Sequence, residues 1–449
     1  MTEYNLQQIT EHLFEYCHSN NWAGHDPYDA LNSELFKRLP FLDFWLPRLA
    51  LTQILKRSPV NFRPLLMIPK TQNPKALALF LMALLKMDKL GMLDDKNLID
   101  GLVQDIINLR SDNNISTGNR KPETVNRKLS TVNRKPETEN RYWCWGYSFP
   151  WQGRSVLAPR GEPNIVCTVF VANALLDLYE SQHCRPSTVN CQPTLTGNRK
   201  LETGNCFYPS TGNCQPETGN LLSIAKSSAE YLLNELYWSE DDKAGFSYPL
   251  PSYKTRVHNA NFLGAALFCR IYKHSGEKKF LEAALKTARY SAGMQHPDGA
   301  WYYGEHETQH WIDNFHTGYN LGALRTICNY INTDEFEPHI KRGFEFYRHH
   351  FFREDGAPKY FHNNTYPIDI HSVAQSIITL IEFNYLDPGN TELANRVAEW
   401  AVNNMLDERN FFHYQITPYY KNRISYMRWS QAWMLLALVS LLEAVNREP

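Results

Sequence analysis

The sequence predicts an all-α fold, an (α/α)6 toroid, in which six helical hairpins stack side by side into a closed ring. One observation is a unit that recurs about every 57 residues, made of an aromatic and polar loop followed by two helices. A second is that the first helix of each unit is apolar on most sides, whereas the second is amphipathic. Because one hairpin cannot bury its apolar side alone, the hairpins are expected to stack until the ring closes.

The repeat also predicts where each element lies. Inner helices are expected after six openings, at 163–166, 258–261, 315–320, 369–372 and 426–430, with a weaker copy near Asn73. Outer helices are expected at 278–292, 335–351 and 392–405, where charges keep to one side. The stretch 41–55 is expected to close the ring. The loops before the inner helices should then gather at one mouth.

Two polar, low-complexity segments interrupt the repeat, at about 112–141 and 184–220. Thr, Asn, Pro and Glu recur in them at a seven-residue spacing, which lacks the apolar positions of a coiled coil. Such segments cannot bury a core, so we expect two disordered insertions in a single domain that spans 1–449.

Composition narrows the class of protein. A net charge of -1 argues against a nucleic-acid partner and against a polybasic membrane surface. The longest apolar stretch, 76–85, is too short to span a bilayer, and the first residues lack a signal peptide, so a cytoplasmic protein is expected. Nine cysteines without a CxxC pair favour reduced thiols, and no metal or other cofactor is expected. The oligomeric state is left open.

The predicted mouth is unusually aromatic. Trp145, Trp151 and Trp301 lie in the loops before inner helices, and Arg154 follows the second of them closely. Flat aromatic faces suit the C–H faces of sugar rings, so we predict a cleft that stacks on a glycan. The alternative is that these rings plug the end of the barrel as part of its core.

Three segments resemble known proteins. The segments 295–301, QHPDGAW, and 311–320, WIDNFHTGYN, look like the six-hairpin glycosidase-like superfamily of α/α toroids. The segment 21–33, NWAGHDPYDALNS, resembles poorly characterised bacterial proteins associated with polysaccharide biosynthesis. The resemblance covers nearly the whole chain outside the insertions and implies a carbohydrate-active toroid, a class that includes hydrolases, polysaccharide lyases and sugar epimerases. The first segment also resembles the QW repeats of terpene cyclases, but the acidic Asp-x-Asp-Asp motif is absent.

Two chemistries compete for the mouth. In a hydrolase, Asp313 and Asp369 would form the carboxylate pair that cleaves a glycosidic bond, unless they only cap their helices. In a lyase or epimerase, histidines and a tyrosine would move a proton at C5 of a uronic acid. That second set comprises His258, His316, His371 and Tyr319, with Asn259, Asn320 or Arg428 to neutralise the substrate carboxylate and Trp429 to stack on the sugar.

Further alternatives stay open. His306 to His310 matches HExxH, and His316 falls where a third zinc ligand would lie, although no apolar stripe predicts a helix there. A zinc protease is therefore the weaker interpretation. No phosphate-binding glycine loop or serine nucleophile elbow is present, which argues against a nucleotide-dependent enzyme. A toroid that binds glycans or acts as a scaffold without catalysis remains the main alternative.

Overall fold

The computed structural model describes residues 3–111, 142–153, 156–183 and 221–446. The two predicted disordered insertions, at 112–141 and 184–220, lie outside the described residues, as does Arg154. The prediction that 1–449 forms a single domain therefore stays a prediction.

Within those ranges the chain forms fourteen α-helices. They are α1 (Glu3–Ser19), α2 (Glu34–Lys37), α3 (Trp45–Arg57), α4 (Pro74–Lys89), α5 (Asn97–Asn108), α6 (Ile165–His183), α7 (Leu221–Tyr231), α8 (His258–Ser275), α9 (Lys278–Gly293), α10 (Asn314–Ile331), α11 (Glu337–His350), α12 (Ile370–Glu382), α13 (Gly389–Met405) and α14 (Ala432–Val445).

The strands within the described residues are short and form three small antiparallel sheets. β1 (Trp151–Gln152) pairs with β2 (Leu157–Ala158), and β3 (Tyr237–Glu240) pairs with β4 (Lys243–Phe246). The third sheet has the order β5 (Ile368–Asp369), β6 (Gln415–Ile416) and β7 (Lys421–Asn422).

Six helices form a closed inner ring. Going round it, α4 packs on α6, α6 on α8, α8 on α10, α10 on α12 and α12 on α14, and α14 returns to α4. The outer helices α5, α7, α9, α11 and α13 each pack on the inner helix before them in the chain. The small residues and aliphatic side chains of the inner helices fill the core between the two layers. The predicted (α/α)6 toroid is confirmed, and all six inner helices begin within a few residues of the expected openings.

The prediction for ring closure was wrong. The stretch 41–55 was expected to complete the sixth hairpin, but α1 packs on α14 instead. Leu6, Leu13 and Cys17 of α1 are buried in the main core. By contrast, α3 exposes Leu46 and Ile54 and packs against β1 and the short 3-10 turn Asp29–Asn32. A helix with that much exposed apolar surface cannot be the one whose burial closes the ring.

Side-chain caps begin four of the inner helices, namely α4, α6, α10 and α12. Asn73 Oδ1 accepts the Lys75 N–H at 3.1 Å, and Asp369 Oδ1 accepts the His371 N–H at 2.9 Å. Such caps satisfy backbone donors that have no partner inside a helix. Each cap therefore fixes the residue at which its helix begins, and with it the position of the side chains that follow.

Two rings predicted to stack on a ligand belong to the core. Trp145 is fully buried, and its Nε1 donates to the carbonyl of Ile106 at 2.8 Å. Trp301 is 2% exposed, and a Cβ on Gly343 would lie 2.7 Å from its Cζ3. Rings enclosed in this way cannot reach a sugar, so Trp145 and Trp301 are corrected to structural residues.

Among the described residues no helix is long and apolar enough to cross a membrane.

Candidate functional site

A cleft of about 1300 Å³ opens where the loops before the inner helices meet. Its walls are aromatic and basic, and no Asp or Glu is among the described residues that line it. They are Tyr28, Lys56, Lys75, Tyr147, Phe149, Trp151, Val166, Tyr248, Asn259, Tyr303, Trp311, Phe315, His316, Tyr319, Tyr360, Phe361, His371, Arg428 and Trp429. A wider groove of about 2150 Å³ continues outward from it past Trp151, Tyr303 and Trp311.

His316 and Asp313 form the first acid/base pair. The His316 Nδ1–H donates to Asp313 Oδ2 at 2.7 Å, and Trp311 Nε1 donates to the same oxygen at 3.0 Å. Asp313 Oδ1 accepts the backbone N–H of His316 at 3.0 Å. A carboxylate on Nδ1 fixes the tautomer and leaves the lone pair on Nε2. Since the His316 side chain is 21% exposed and lines the cleft, this nitrogen can take a proton from a ligand.

Tyr319 and His371 form the second pair. The Tyr319 hydroxyl and His371 Nε2 share a hydrogen bond of 2.6 Å on the cleft wall. Burial lowers the pKa of His371 well below its usual value, and the nearby cations Lys75 and Arg428 lower it further. Burial also raises the pKa of Tyr319 well above its usual value. The pair therefore holds a neutral imidazole against a protonated phenol, which can give a proton and recover it.

The two pairs lie side by side, since the ring centres of His316 and Tyr319 are 6.0 Å apart. Both side chains come from the first two turns of α10. Residues three apart share one face of a helix, so the capped start of α10 directs both rings into the cleft. The predicted cluster of His316, Tyr319 and His371 is thus brought together.

The predicted carboxylate pair of Asp313 and Asp369 is not brought together at the cleft. Asp369 is fully buried, and its Oδ1 accepts from the His371 N–H and from Trp429 Nε1, while Gln415 Nε2 donates to its Oδ2. Burial raises the pKa of Asp369 to about 6. Asp313 is likewise occupied at both oxygens and is 2% exposed. Neither carboxylate lines the cleft. We therefore correct Asp313 and Asp369 from a hydrolytic pair to helix caps, with Asp313 also orienting His316.

Arg428 is partly occupied by another residue. Its Nε and Nη2 donate to the two carboxylate oxygens of Asp26 at 2.6 and 2.8 Å. The guanidinium also lies 5.1 Å from the ring centre of Tyr147 and 5.6 Å from that of Phe149. Nη1 makes no hydrogen bond within the described part of the chain. The two N–H groups of Nη1 and the second N–H of Nη2 are left for the predicted role of binding a substrate carboxylate.

The remaining predicted site residues form two groups, those that line the cleft and those that do not. Trp151, Trp429 and Asn259 line the cleft, and Asn259 Oδ1 has no hydrogen-bond partner among the described residues. His258 does not line it: the side chain is buried, its Nδ1 lies 3.4 Å from Ser291 Oγ, and burial lowers its pKa to about 4. Asn320 is also buried, outside the lining. We therefore correct His258 and Asn320 to structural residues, because both side chains are buried outside the cleft lining.

The HExxH segment lacks the geometry of a zinc site. It contains only a short 3-10 turn, Glu307–Gln309, whereas the motif needs both histidines on one face of an α-helix. His306 Nδ1 accepts the Thr308 N–H, and His310 Nε2 lies 3.1 Å from the carbonyl oxygen of Glu305. Across the described ranges, no group of three or more His, Cys, Asp or Glu residues could hold a metal ion.

Several lining residues were not assigned to the site from the sequence, among them Lys75, Lys56, Tyr28 and Trp311. A signal for Lys75 was present, since it follows the cap Asn73 at the same distance at which His371 follows Asp369. No pattern marked Lys56, which reaches the cleft from α3, or Tyr28, which reaches it from the N-terminal loop, residues 20–33 between α1 and α2.

The fold and the cleft define an (α/α)6-toroid protein with an aromatic, basic site at the mouth of the ring. No protein-family model and no curated protein matches the chain. A GH76 α-mannanase from Bacteroides thetaiotaomicron is similar in structure, with a TM-score of 0.54 and 11% identity over 85% of this chain and 90% of the mannanase. Cellobiose 2-epimerase from Spirochaeta thermophila gives a TM-score of 0.52 and 11% identity over 84% and 86%.

A polysaccharide lyase gives a TM-score of 0.53 and 9% identity over 100% of this chain and 99% of the lyase. Identities this low show a shared fold and nothing finer. The predicted resemblance is confirmed as a likeness of fold, the (α/α)6 toroid.

Proposed function

We propose that the protein is a carbohydrate-active enzyme that moves a proton at a carbon of an acidic sugar, as a lyase or an epimerase. One observation carries the proposal: two acid/base pairs, His316 with Asp313 and Tyr319 with His371, meet at a cleft that no carboxylate lines among the described residues. A hydrolase of the usual kind needs two carboxyl groups on either side of the scissile bond. Proton transfer at carbon needs an acid and a base instead.

The cleft lining supports a sugar that carries a carboxylate. Aromatic rings such as Trp151, Trp311 and Tyr303 offer flat faces, and a wider groove continues past them. Lys56 and Arg428 are cations of the same lining, and the amine of Lys75 becomes one when it is protonated. The solved structures that share this fold include an α-mannanase, a sugar epimerase and a polysaccharide lyase, which supports a glycan as the ligand.

The proposed chemistry assigns one role to each of the two pairs. His316 Nε2 takes the proton from the carbon beside the carboxylate, and the electron pair of the C–H bond moves into the carboxylate as an enediolate. The cations of the lining stabilise that charge. In an epimerase, Tyr319 returns a proton to the opposite face of the carbon. In a lyase, the neighbouring C–O bond breaks, a C=C bond forms, and the leaving oxygen takes the proton of Tyr319.

Three readouts on one incubation separate the reactions. Oligosaccharides that contain glucuronate, galacturonate or mannuronate are incubated with the protein in D2O. Uptake of deuterium at carbon without cleavage indicates an epimerase, and an unsaturated product indicates a lyase. New reducing ends with neither deuterium nor unsaturation would contradict the proposal and restore a hydrolase.

Variants test the residues. His316→Gln and Tyr319→Phe are each expected to lower turnover by about a hundredfold or more, because each removes one partner in proton transfer. His258→Gln is the matched control, since this histidine is buried away from the cleft. Full turnover in both cleft variants would place the reaction elsewhere.

A glycan-binding protein without catalysis is the second candidate. The number of rings in the cleft favours it, since stacking needs no acid or base. Saturable binding of an oligosaccharide by calorimetry, with no deuterium uptake and no cleavage, would select this function over the first.

A further inference from the structure

Lys75 is a buried amine without an anion of its own. It is the second residue of α4, lines the cleft, and is 3% exposed. Its Nζ lies 4.0 Å from the ring centre of Phe170, 5.3 Å from that of Trp433 and 5.4 Å from that of Tyr319. Within the described residues Nζ makes no hydrogen bond and no ion pair. Buried lysines normally have a partner, so three ring faces and an open side toward the cleft are an unusual setting.

The groups that face Lys75 leave its charge uncompensated. Burial, and to a smaller extent the cation Arg428 just before α14, lower the pKa of Lys75 to about 7. Cys167 on α6 and Asp26 on the N-terminal loop act in the opposite direction, but Asp26 is already paired with Arg428. From α12, His371 is neutral, since its pKa is lowered. The amine is thus ready to accept an anion from the cleft.

We propose that Lys75 binds the carboxylate of the acidic sugar inside this cage of rings and takes up a proton as the sugar binds. This deepens the proposed function, on which it rests. An ion pair in a site of low polarity is much stronger than in water, so the bound carboxylate favours the charged amine. Because Tyr319 borders the same cage, a carboxylate on Nζ brings the neighbouring carbon close to the acid/base pairs. The same cation then stabilises the enediolate.

The test compares each uronate oligosaccharide with its methyl ester, which removes only the charge. Calorimetry at pH 6 and pH 8, in buffers of different ionisation enthalpy, measures affinity and the protons taken up. Wild-type protein is expected to prefer the acid form and to take up more protons at pH 8, where free Lys75 is largely neutral. A wild-type protein that binds acid and ester equally well would overturn the proposal.

Two variants assign the effect. Lys75→Met keeps the length of the side chain in an apolar site and is expected to weaken binding of the acid form about thirtyfold or more, with little change for the ester. Lys75→Arg is expected to keep the preference but lose the proton uptake, since a guanidinium stays charged. If Lys75→Met still prefers the acid form, Lys75 does not bind the carboxylate. A covalent adduct on Lys75 after borohydride reduction would also contradict that role, because it indicates that the amine reacts with an aldehyde.

Failure of the proposed function has a different signature. His316→Gln is expected to lower turnover by about a hundredfold or more and to keep the preference for the acid form. If wild-type protein binds acid forms through Lys75 and turns none of them over, the carboxylate site stands and the enzymatic function falls.

Discussion

The pairing of Asp26 with Arg428 can be tested by one substitution. The two residues are 402 positions apart, yet both carboxylate oxygens bind the guanidinium, at 2.6 and 2.8 Å, and each residue is 5% exposed. Asp26→Asn removes the charge and keeps the size of the side chain. A buried arginine that loses its partner costs about 3–5 kcal/mol. Asparagine keeps one acceptor oxygen, so we expect the free energy of unfolding to fall by about 3 kcal/mol.

The assay is urea denaturation followed by tryptophan fluorescence and circular dichroism. Arg428→Met and the double variant complete the cycle, and the double variant is expected to lose about 2 kcal/mol less than the sum of the single losses. Glu34→Gln is the matched control, because its partner Lys37 and Glu34 itself are both about half exposed. No measurable loss is expected there, since exposed pairs contribute little.

One result would refute this reasoning. If Asp26→Asn leaves the urea midpoint unchanged and the cycle shows no coupling, Asp26 does not hold Arg428. The guanidinium would then be free to bind a substrate carboxylate with all its donors, and the stability of the N-terminal loop would need another source.

Three further predictions follow from burial and from the insertions. The pKa of Asp369 is raised from 3.8 to about 6, so the stability that protonation contributes is present below pH 4 and is lost as pH rises through 6. Asp369→Asn should remove that dependence. In urea melts over this pH range, the free energy of unfolding of wild type should therefore fall by about 3 kcal/mol more than that of the variant. Trp145→Ala should cost about 3–5 kcal/mol in urea melts, as for a core ring, whereas Trp151→Ala should weaken glycan binding in calorimetry with a smaller loss of stability. Deleting 116–139 and 186–219 should leave one cooperative thermal transition of similar midpoint, because polar segments contribute little beyond closure entropy. A broad transition in calorimetry would contradict this.

Much of the fold was determined by the sequence alone. The repeat, the alternation of apolar and amphipathic helices and the caps Asp313 and Asp369 are local patterns, and local patterns set where helices begin and which face is buried. The spacing of His316 and Tyr319 also predicted a shared face at the mouth. For the same reason the six inner helices and the cluster with His371 could be predicted without a structure.

Only the tertiary structure decided which residues meet across the ring. Nothing local distinguishes Trp145, which is in the core, from Trp151, which lines the cleft, because the direction of a loop side chain depends on what packs against it. The choice of α1 over α3 to close the ring and the pairing of Asp26 with Arg428 likewise depend on contacts between distant segments. The spacing of Lys75 after Asn73 could be read from the sequence, but the role of Lys75 could not, for the same physical reason. Its significance lies in the anion that it lacks, and a missing partner appears only when every neighbour is in place.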